Sequence, residues 1–481
     1  MKTISSLSNG FVNNSMPPIL GSLLGMALYS ITELDLKWTV VALPLLLLTC
    51  LFPIVGKPRT QLLFLLTLSI PLVFNYHFTY HPDHIGASDG ITLEAIDLPL
   101  IILSLVWLHR TRFRQGRALF FPATTLPFLF VLASGLLSLY TTNHLDLTFY
   151  GLVDLFRGFL LYLCLANNTV EPHDSRTVVL GLNVSVILLG LVCMTEAMLE
   201  TNLVMGTYQV AERAEWEPVF RSAGLTVPTL TAGYIASLLP LFLSQLFASR
   251  KTGYRLFVIA TILIGITGLL LTLTRTSFLS LAIGAAIVLT HLLRKQRVKA
   301  VHLVLATVIA VFLFAAYFKN IMTRFDEGAD NVVARYALAR TAFNAIVENP
   351  LVGLGLNTYH QEMHNHLSNR VPHDFEFVVH NKFLLTWAEM GPFALVSLLC
   401  LILVSLRKAF IVTRSGENET DVLGAGLFAS MVVTIIHMNL ESYAGGFMML
   451  MFSAQVALIA SVSTRSAEKS LGANSSERGS P

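Results

Sequence analysis

Long apolar runs separated by short polar loops recur along almost the whole chain. An α-helix needs about 20 apolar residues to cross a hydrocarbon core of roughly 30 Å, and most of the runs have about that length. A membrane β-barrel would instead show shorter segments that alternate between apolar and polar residues. The pattern therefore predicts an all-α fold, a polytopic transmembrane helical bundle.

We count about fourteen candidate spans, and counts of twelve or thirteen stay open because the first and the eleventh are weakly bounded. The first apolar stretch ends without a small-residue cleavage pattern, so we expect a retained helix and not a signal peptide. The candidate spans cover residues 18–32, 38–55, 61–80, 91–108, 118–140, 150–166, 177–197, 224–247, 256–274, 277–293, 300–317, 382–406, 422–438 and 443–463.

Composition excludes a soluble domain. The chain has 481 residues, of which 54% are hydrophobic and 13% are charged, and its mean hydropathy is +0.66. Each cysteine lies inside an apolar run without a closely spaced partner, which favours simple packing over a disulfide framework or a metal site. The cysteines are Cys50, Cys164, Cys193 and Cys400.

The distribution of basic residues predicts the orientation. With the N-terminus inside, 21 of the 32 lysines and arginines fall in the inner segments, and short basic loops stay in the cytoplasm. Two outer loops are long, at about residues 199–223 and 318–380.

The second long loop is predicted to be partly helical. Apolar residues at helical spacing predict one buried face, which Pro350 and then Gly353 and Gly355 terminate. The predicted face consists of Ala339, Ala342, Phe343, Ile346 and Val347. We expect this loop to fold over the outer surface of the bundle, where loops on a rigid scaffold often carry function.

Three arginines lie where a charge is costly unless it is paired or hydrated. Arg275 interrupts two apolar runs at a tight outer turn, and Arg221 opens the eighth span at the same face. Each is either an anchor that reaches the headgroups or part of an anion site. Arg157 lies inside the sixth span one turn after Asp154, so it either pairs with that carboxylate or supports the site.

Other acidic residues also lie toward the outer side, and we expect them to pair with arginines. They are Glu94, Asp97, Glu196 and Glu441. Arg221, Arg275 and Arg335 together suggest a site for a dianion, because guanidinium groups bind phosphate oxygens in pairs and stay charged. A lipid-linked pyrophosphate would arrive at this depth.

The second long loop is rich in histidine. His360 and His364 have the i, i+4 spacing of a metal pair, to which Asp374 and Glu376 could add ligands, but no third ligand follows at a definite spacing. Solvated loop histidines are therefore the default interpretation, and no metal is predicted. The loop histidines are His360, His364, His366, His373 and His380.

His380 differs from the other four because it directly precedes an apolar span. Asn381 follows it and is expected to cap that helix. Near the membrane surface, His380 is either an ordinary interfacial residue or a base that takes a proton from an attacking hydroxyl.

Four segments in this order resemble the O-antigen ligase family of bacterial membrane glycosyltransferases, which includes related O-antigen and exopolysaccharide polymerases. They begin at Arg221, Leu273, Arg335 and His380, and end at Phe393. The segments read RSAGLTVPTLTAGYIASLLPL, LTRTSFLSLAIG, RYALARTAFNAIVENPLVGLGLNTY and HNKFLLTWAEMGPF.

The resemblance implies a function and a set of roles. Glycan would pass from undecaprenyl pyrophosphate to a hydroxyl of an outer-leaflet lipid or glycan acceptor, with inversion and without a metal or other cofactor. Arg221 and Arg275 would hold the donor pyrophosphate, and His380 would activate the acceptor. Supporting roles would fall to Arg335, Gly353, Gly355, Asn381 and Arg157.

The resemblance also implies a GT-C-like architecture of about 12–14 spans with a large periplasmic loop, in the bacterial inner membrane with both termini cytoplasmic. The active site would face the periplasm, with membrane lipids but no nucleic acid as partners. The expected regions are an N-terminal membrane region (1–198), a ligase-like catalytic region (199–406, loop 318–380), C-terminal helices (407–463) and a cytoplasmic tail (464–481).

Three other functions stay open. A polymerase that joins lipid-linked repeat units would use the same motifs. A transporter would show related halves and charges near the midplane, whereas here the ionisable residues gather toward one face. A scaffold gives no reason for the outward arginines.

Overall fold

The structure is a computed structural model. It describes residues 58–73, 76–81, 84, 88–109, 120–203, 220–248, 251–297, 328–367, 377–416, 418–443 and 446–478. The chain divides into two compact units, residues 1–61 and 62–481, and nearly all described residues lie in the second.

Helices make up most of the described chain, which confirms the predicted all-α fold of a polytopic membrane protein. The helices are α1 (Pro58–Leu68), α2 (Asp97–His109), α3 (Thr125–Leu137), α4 (Leu145–Asn168), α5 (Pro172–Leu199), α6 (Pro228–Ala248), α7 (Thr252–Leu271), α8 (Arg275–Arg294), α9 (Gly328–Glu348), α10 (Tyr359–Glu362), α11 (Lys382–Val412), α12 (Asn418–Leu440) and α13 (Gly446–Arg478). Short 3₁₀ helices cover Ser138–Tyr140 and Met363–His366, and β1 (Tyr76–His77) pairs antiparallel with β2 (Thr92–Leu93).

Within the described ranges, eight helices are long and apolar enough to cross a membrane, namely α4 to α8 and α11 to α13. The three shorter apolar helices lie at 59–68, 97–109 and 125–140. The candidate spans at 18–32, 38–55 and 300–317 lie outside the described residues.

Two predicted spans are wrong in length. The helix expected over 61–80 ends at Leu68, and Pro71 follows within the next turn, where proline removes a backbone donor. The helix expected over 91–108 begins only at Asp97, because residues 92–93 pair as a strand. Apolar composition continues past both boundaries, so hydropathy alone does not place them.

The loop helix α9 has the predicted type, and its buried face agrees with the prediction in part, because Ala342 and Ile346 are buried and Ala339 packs against the same cluster. Its packed side presents Leu338, Ala342, Ala345 and Ile346 to a cluster that includes Tyr359, Met363, Val378, Val379, Leu385 and Ala388. Phe343 and Val347, which the pattern placed inside, are 49% and 60% exposed. A helix with apolar residues on more than one side has no unique buried face in its sequence, and the close packing selects the small alanines.

A break in α11 ties the loop to the bundle. Gly391 has φ +80°, outside the helical region, and Pro392 follows it. Two backbone hydrogen bonds connect the turn before α10 to the residues just before this break. Leu354 N donates to Ala388 O (2.9 Å), and Gly355 N donates to Glu389 O (3.0 Å). Gly353 has φ +80°, and a Cβ there would lie 2.4 Å from the Glu389 carbonyl carbon. Glycine thus allows the close backbone approach at this turn.

Candidate active site

The first residues of α6, α8 and α11 meet the last residues of α5, α7 and α12 at one end of the bundle, which we call the site end. Ser222 N donates to Leu271 O at the close of α7 (3.0 Å), and Asn381 Nδ2 donates to Asn439 O in α12 (3.2 Å). Arg221, Arg275 and His380 lie in or beside these termini. The structure therefore brings the three residues to the same end of the bundle.

Arg221 lies against the residues that lead into α8. Its Nε donates to Thr272 O (3.0 Å), and its Nη2 lies 3.4 Å from Thr274 Oγ1. Thr274 is the N-cap residue of α8 and Arg275 is its first residue, and the Thr274 side chain makes no capping hydrogen bond. A helix N-terminus carries partial positive charge, so it and the two guanidinium groups favour an anion.

Glu196 anchors the segment that carries Arg221. Its carboxylate accepts from the backbone N–H groups of Ala223 (2.8 Å), Gly224 (2.8 Å) and Leu203 (2.7 Å). The expectation that Glu196 pairs with an arginine is therefore wrong: among the described residues, its partners are backbone N–H groups and not a guanidinium group. Its described bonds fix the chain direction after Arg221.

His380 is held by a carboxylate and an aromatic ring. Its Nδ1 lies 3.3 Å from Glu441 Oε2, and 18% of the side chain is exposed. The geometry is that of an ion pair and not of a straight hydrogen bond. The Phe377 ring stacks on the imidazole at 15° with centroids 5.4 Å apart. The imidazole therefore has a defined orientation, with Nδ1 toward Glu441.

Glu441 is also held by Arg335 of the loop helix. Arg335 Nη2 lies 3.5 Å from Glu441 Oε1, and Nη1 donates to Leu440 O (2.9 Å). Burial alone would raise the pKa of Glu441, but His380 and Arg335 outweigh burial and lower it. The carboxylate therefore stays ionised, and Arg335 ties α9 to the end of α12.

A chain of contacts connects this pair to α8. Glu441 N donates to His437 O (2.8 Å), and His437 Nε2 lies 3.0 Å from Ser280 Oγ. Ser280 is five residues after Arg275 on the same helix. The base candidate and the arginine at the start of α8 thus belong to neighbouring, directly connected elements.

Asn381 caps α11 as predicted. Its Oδ1 accepts from Phe383 N (3.0 Å) and Leu384 N (2.9 Å). Because its amide nitrogen also bonds to α12, Asn381 fixes the position of His380 relative to Glu441.

Arg157 pairs with Asp154, as the spacing predicted, and with two more carboxylates. Its Nε donates to Asp97 (2.8 Å) and its Nη1 to Glu94 (2.9 Å), as expected for these acids, while Nη2 donates to Thr92 O (2.7 Å). The guanidinium is only 7% exposed. These bonds connect α2, α4 and the β1–β2 pair, so the contacts of Arg157 hold these elements together.

The loop histidines are more buried than expected. His360 and His366 are each 8% exposed, so solvation does not describe them, while His364 is exposed. The His360 ring packs edge-on against His84 (6.0 Å) and His364 (6.4 Å). Burial lowers the pKa of His84 to about 4. No metal-binding group of three or more ligands occurs among the described residues, and His373, Asp374 and Glu376 lie outside them.

Sequence reasoning did not assign Glu441, His437 or Ser280 to the site. Glu441 was visible only as an acidic residue just beyond a span, and its contact with His380 joins residues 61 positions apart. The sequence shows polar residues near the site end of α8 and α12, which could have marked them as candidate site residues. It does not show their partners, because helix packing determines those contacts.

Comparison with known proteins bears on the family. Residues 259–399 match the family model described as O-antigen ligase. No curated protein matches the chain. The matched segment contains Arg275, Arg335 and His380, and the fold around it is a membrane helical bundle. Over this segment, the predicted resemblance is confirmed: residues 259–399 are similar to the O-antigen ligase family.

Proposed function

We propose that the protein is a membrane glycosyltransferase that moves a glycan from undecaprenyl pyrophosphate to a hydroxyl of an outer-leaflet acceptor. The observation that carries this proposal is the His380–Glu441 pair, 3.3 Å apart, at the same end of the bundle as Arg221 and Arg275. An oriented base beside an anion site is what displacement of a diphosphate requires.

The donor diphosphate binds at the start of α8. Arg221 and Arg275 contribute guanidinium groups, which remain charged and bind phosphate oxygens in pairs. The N-terminus of α8 adds partial positive charge at the same place. These groups stabilise the negative charge that develops on the leaving diphosphate, the role that a divalent cation has in many phosphate-transfer sites.

His380 activates the acceptor. With Nδ1 toward Glu441, Nε2 is the ring nitrogen that accepts the hydroxyl proton, and Glu441 stabilises the imidazolium that results. The acceptor oxygen forms a bond to the anomeric carbon while the bond from that carbon to the pyrophosphate oxygen breaks. The electron pair leaves with the diphosphate, and single displacement inverts the anomeric centre.

The reaction takes place on the periplasmic side of the inner membrane in this proposal. The end of the bundle opposite the site end carries basic side chains such as Lys295, which donates to Asp421 (2.7 Å), and Arg176, which pairs with Glu419 (3.1 Å). Basic residues at that end support a cytoplasmic location for it, and hence a periplasmic location for the site.

The test uses His380→Ala, Arg275→Ala and Arg275→Lys, with Arg340→Ala as the matched control. Arg340 lies on α9 over the Phe343 ring (5.9 Å), outside the site. Loss of one stabilising group should lower the transfer rate about 10²-fold or more. Lysine at position 275 should rescue only part of the rate, because it lacks the guanidinium fork. Transfer at the wild-type rate by correctly inserted His380→Ala and Arg275→Ala would overturn the proposal.

A polymerase that joins lipid-linked repeats is the alternative with the same chemistry. Gel electrophoresis of surface glycan from a deletion strain separates the two. Loss of attachment with accumulation of lipid-linked polymer indicates a ligase. Surface products with a single repeat indicate a polymerase.

A further inference from the structure

A second polar feature lies beside the site, in a cavity of about 760 Å³ including its part open to solvent. Its walls come from α3, α4, α11, the start of α13 and the turn before α10. Lys382 and Tyr443 line it, and each lies two residues beyond a member of the His380–Glu441 pair. Residues of α6 and α8 do not line the described cavity. The cavity therefore adjoins the residues that follow His380 and Glu441, and its described wall is separate from the helices that carry the two donor arginines.

Two buried hydroxyls in the cavity wall have no partner. Thr386 is 1% exposed and Ser453 is fully buried. Neither Thr386 Oγ1 nor Ser453 Oγ makes a hydrogen bond among the described residues, and both residues line the cavity. An unsatisfied buried hydroxyl is unfavourable, so two of them on residues that line one cavity point to an occupant with hydrogen-bonding groups.

Charged groups of both signs face the same space. Glu389 is 4% exposed, lines the cavity and accepts a long hydrogen bond from Tyr359 N (3.4 Å). Lys382 lines the cavity seven residues earlier on α11, and the nearby opposite charge that acts on it is that of Glu389. A carboxylate and an ammonium together offer an acceptor and donors to one molecule.

The rest of the wall is apolar, with Phe128 and Leu356 among its members. Small-molecule sites typically combine mostly apolar walls with a few placed polar groups. A sugar ring fits this combination because its C–H faces are apolar and its edge carries hydroxyls. An acyl or isoprenoid chain would leave the two hydroxyls and the charged groups without partners.

We propose that this cavity binds the saccharide unit of the acceptor and directs its attacking hydroxyl toward His380. The proposal rests on the proposed function, in which the donor diphosphate binds at the start of α8, outside the described wall of this cavity. Thr386 and Ser453 bond to hydroxyls of the sugar that do not react. The lipid part of the acceptor remains in the bilayer.

The experiment uses the full chain in lipid nanodiscs with the Thr386→Val, Ser453→Ala double variant. Both probes are extracted from a strain that lacks the gene: the lipid-linked glycan that accumulates there as donor, and the unglycosylated acceptor glycolipid. The matched control is Ser405→Ala, a buried serine of α11 whose hydroxyl bonds to Leu401 O (2.7 Å). Since the variant removes hydroxyls that lack partners, its thermal midpoint should not fall.

The double variant should raise the KM for the acceptor about tenfold, because two hydrogen bonds to the ligand are lost. The KM for the donor should stay within about twofold of wild type, and Ser405→Ala should change neither constant. A rise in the donor KM alone would overturn the inference and place donor glycan or lipid in the cavity. Unchanged constants for both substrates would also overturn it.

Failure of this inference is distinguishable from failure of the proposed function. If His380→Ala and Arg275→Ala abolish transfer while the cavity variant leaves the acceptor KM unchanged, the function stands and the acceptor site lies elsewhere. If those two variants transfer glycan normally, the function itself is wrong.

Discussion

Replacing Glu441 with glutamine tests whether this carboxylate positions and supports His380. The variant keeps the size and an oxygen acceptor for Arg335 but removes the negative charge 3.3 Å from His380 Nδ1. We expect kcat for glycan transfer to fall while the KM for the donor stays unchanged, because the arginines that bind the diphosphate are untouched.

The magnitude follows from the geometry. Two unit charges 3.3 Å apart interact by roughly 5 kcal/mol at an effective dielectric constant of about 20, which is an upper limit here. Because His380 is 18% exposed and its contact is not a straight hydrogen bond, we take about 1.5–3 kcal/mol, the usual range for a hydrogen bond to a charged group. At about 1.4 kcal/mol per factor of ten, kcat should fall by about 10-fold to 150-fold.

The assay is glycan transfer in nanodiscs with purified variants, followed by gel electrophoresis of the product. Glu362→Gln is the matched control, because Glu362 is a buried carboxylate beside a different histidine, His144 (3.5 Å). Its rate should remain near that of wild type. A Glu441→Gln kcat within twofold of wild type would refute the positioning role.

Three further predictions concern stability. Gly353→Ala should lower the free energy of unfolding by at least about 1–3 kcal/mol because φ is positive there, and by more because the new Cβ would clash with the Glu389 backbone. Gly416→Ala is the control, since Gly416 has a similar φ and open space around it. Equal shifts in thermal midpoint for the two variants would contradict the clash. Asn381→Ala should lower the free energy of unfolding by about 1 kcal/mol, because it removes the cap of α11. Chemical unfolding in detergent measures this change. An unchanged free energy of unfolding would show that the cap is dispensable. Because burial lowers the pKa of His84 to about 4 from 6.5, the unfolded chain binds more protons between these values, so the stability of its loop should fall as pH drops from about 6.5 to about 4. Hydrogen exchange of residues 88–93 checks this, and a His84→Gln variant with the same pH dependence would contradict it.

Local interactions explain what could be predicted at the site. Asn381 caps α11 because a cap needs only the chain neighbours Phe383 and Leu384. Arg157 pairs with Asp154 because residues three apart on a helix are adjacent. The family resemblance also depended on short segments read in order, and the match over residues 259–399 confirmed it. The roles of Arg221, Arg275 and His380 remain predictions.

Contacts between distant segments could not be predicted. Glu196 was expected to meet an arginine, yet the chain around Ala223 folds back so that backbone N–H groups reach it first. The buried face of α9 was predicted correctly at Ala342 and Ile346 but not at Phe343 and Val347, because apolar residues in a membrane protein face lipid as readily as protein. The cavity beside His380 was also absent from the sequence analysis, since Thr386 and Ser453 are 67 residues apart.

The sequence by itself determined that this chain crosses a membrane as helices, because backbone groups in lipid must bond within the segment and only long apolar runs meet that condition. It also determined which charged residues lie where burial is costly, and these residues became the candidates for ion pairs or for a binding site. The tertiary structure alone decided which carboxylate lies beside His380 and where a mostly apolar cavity with a few polar residues opens. Helix packing sets those distances, and packing depends on the shapes of side chains from many segments at once.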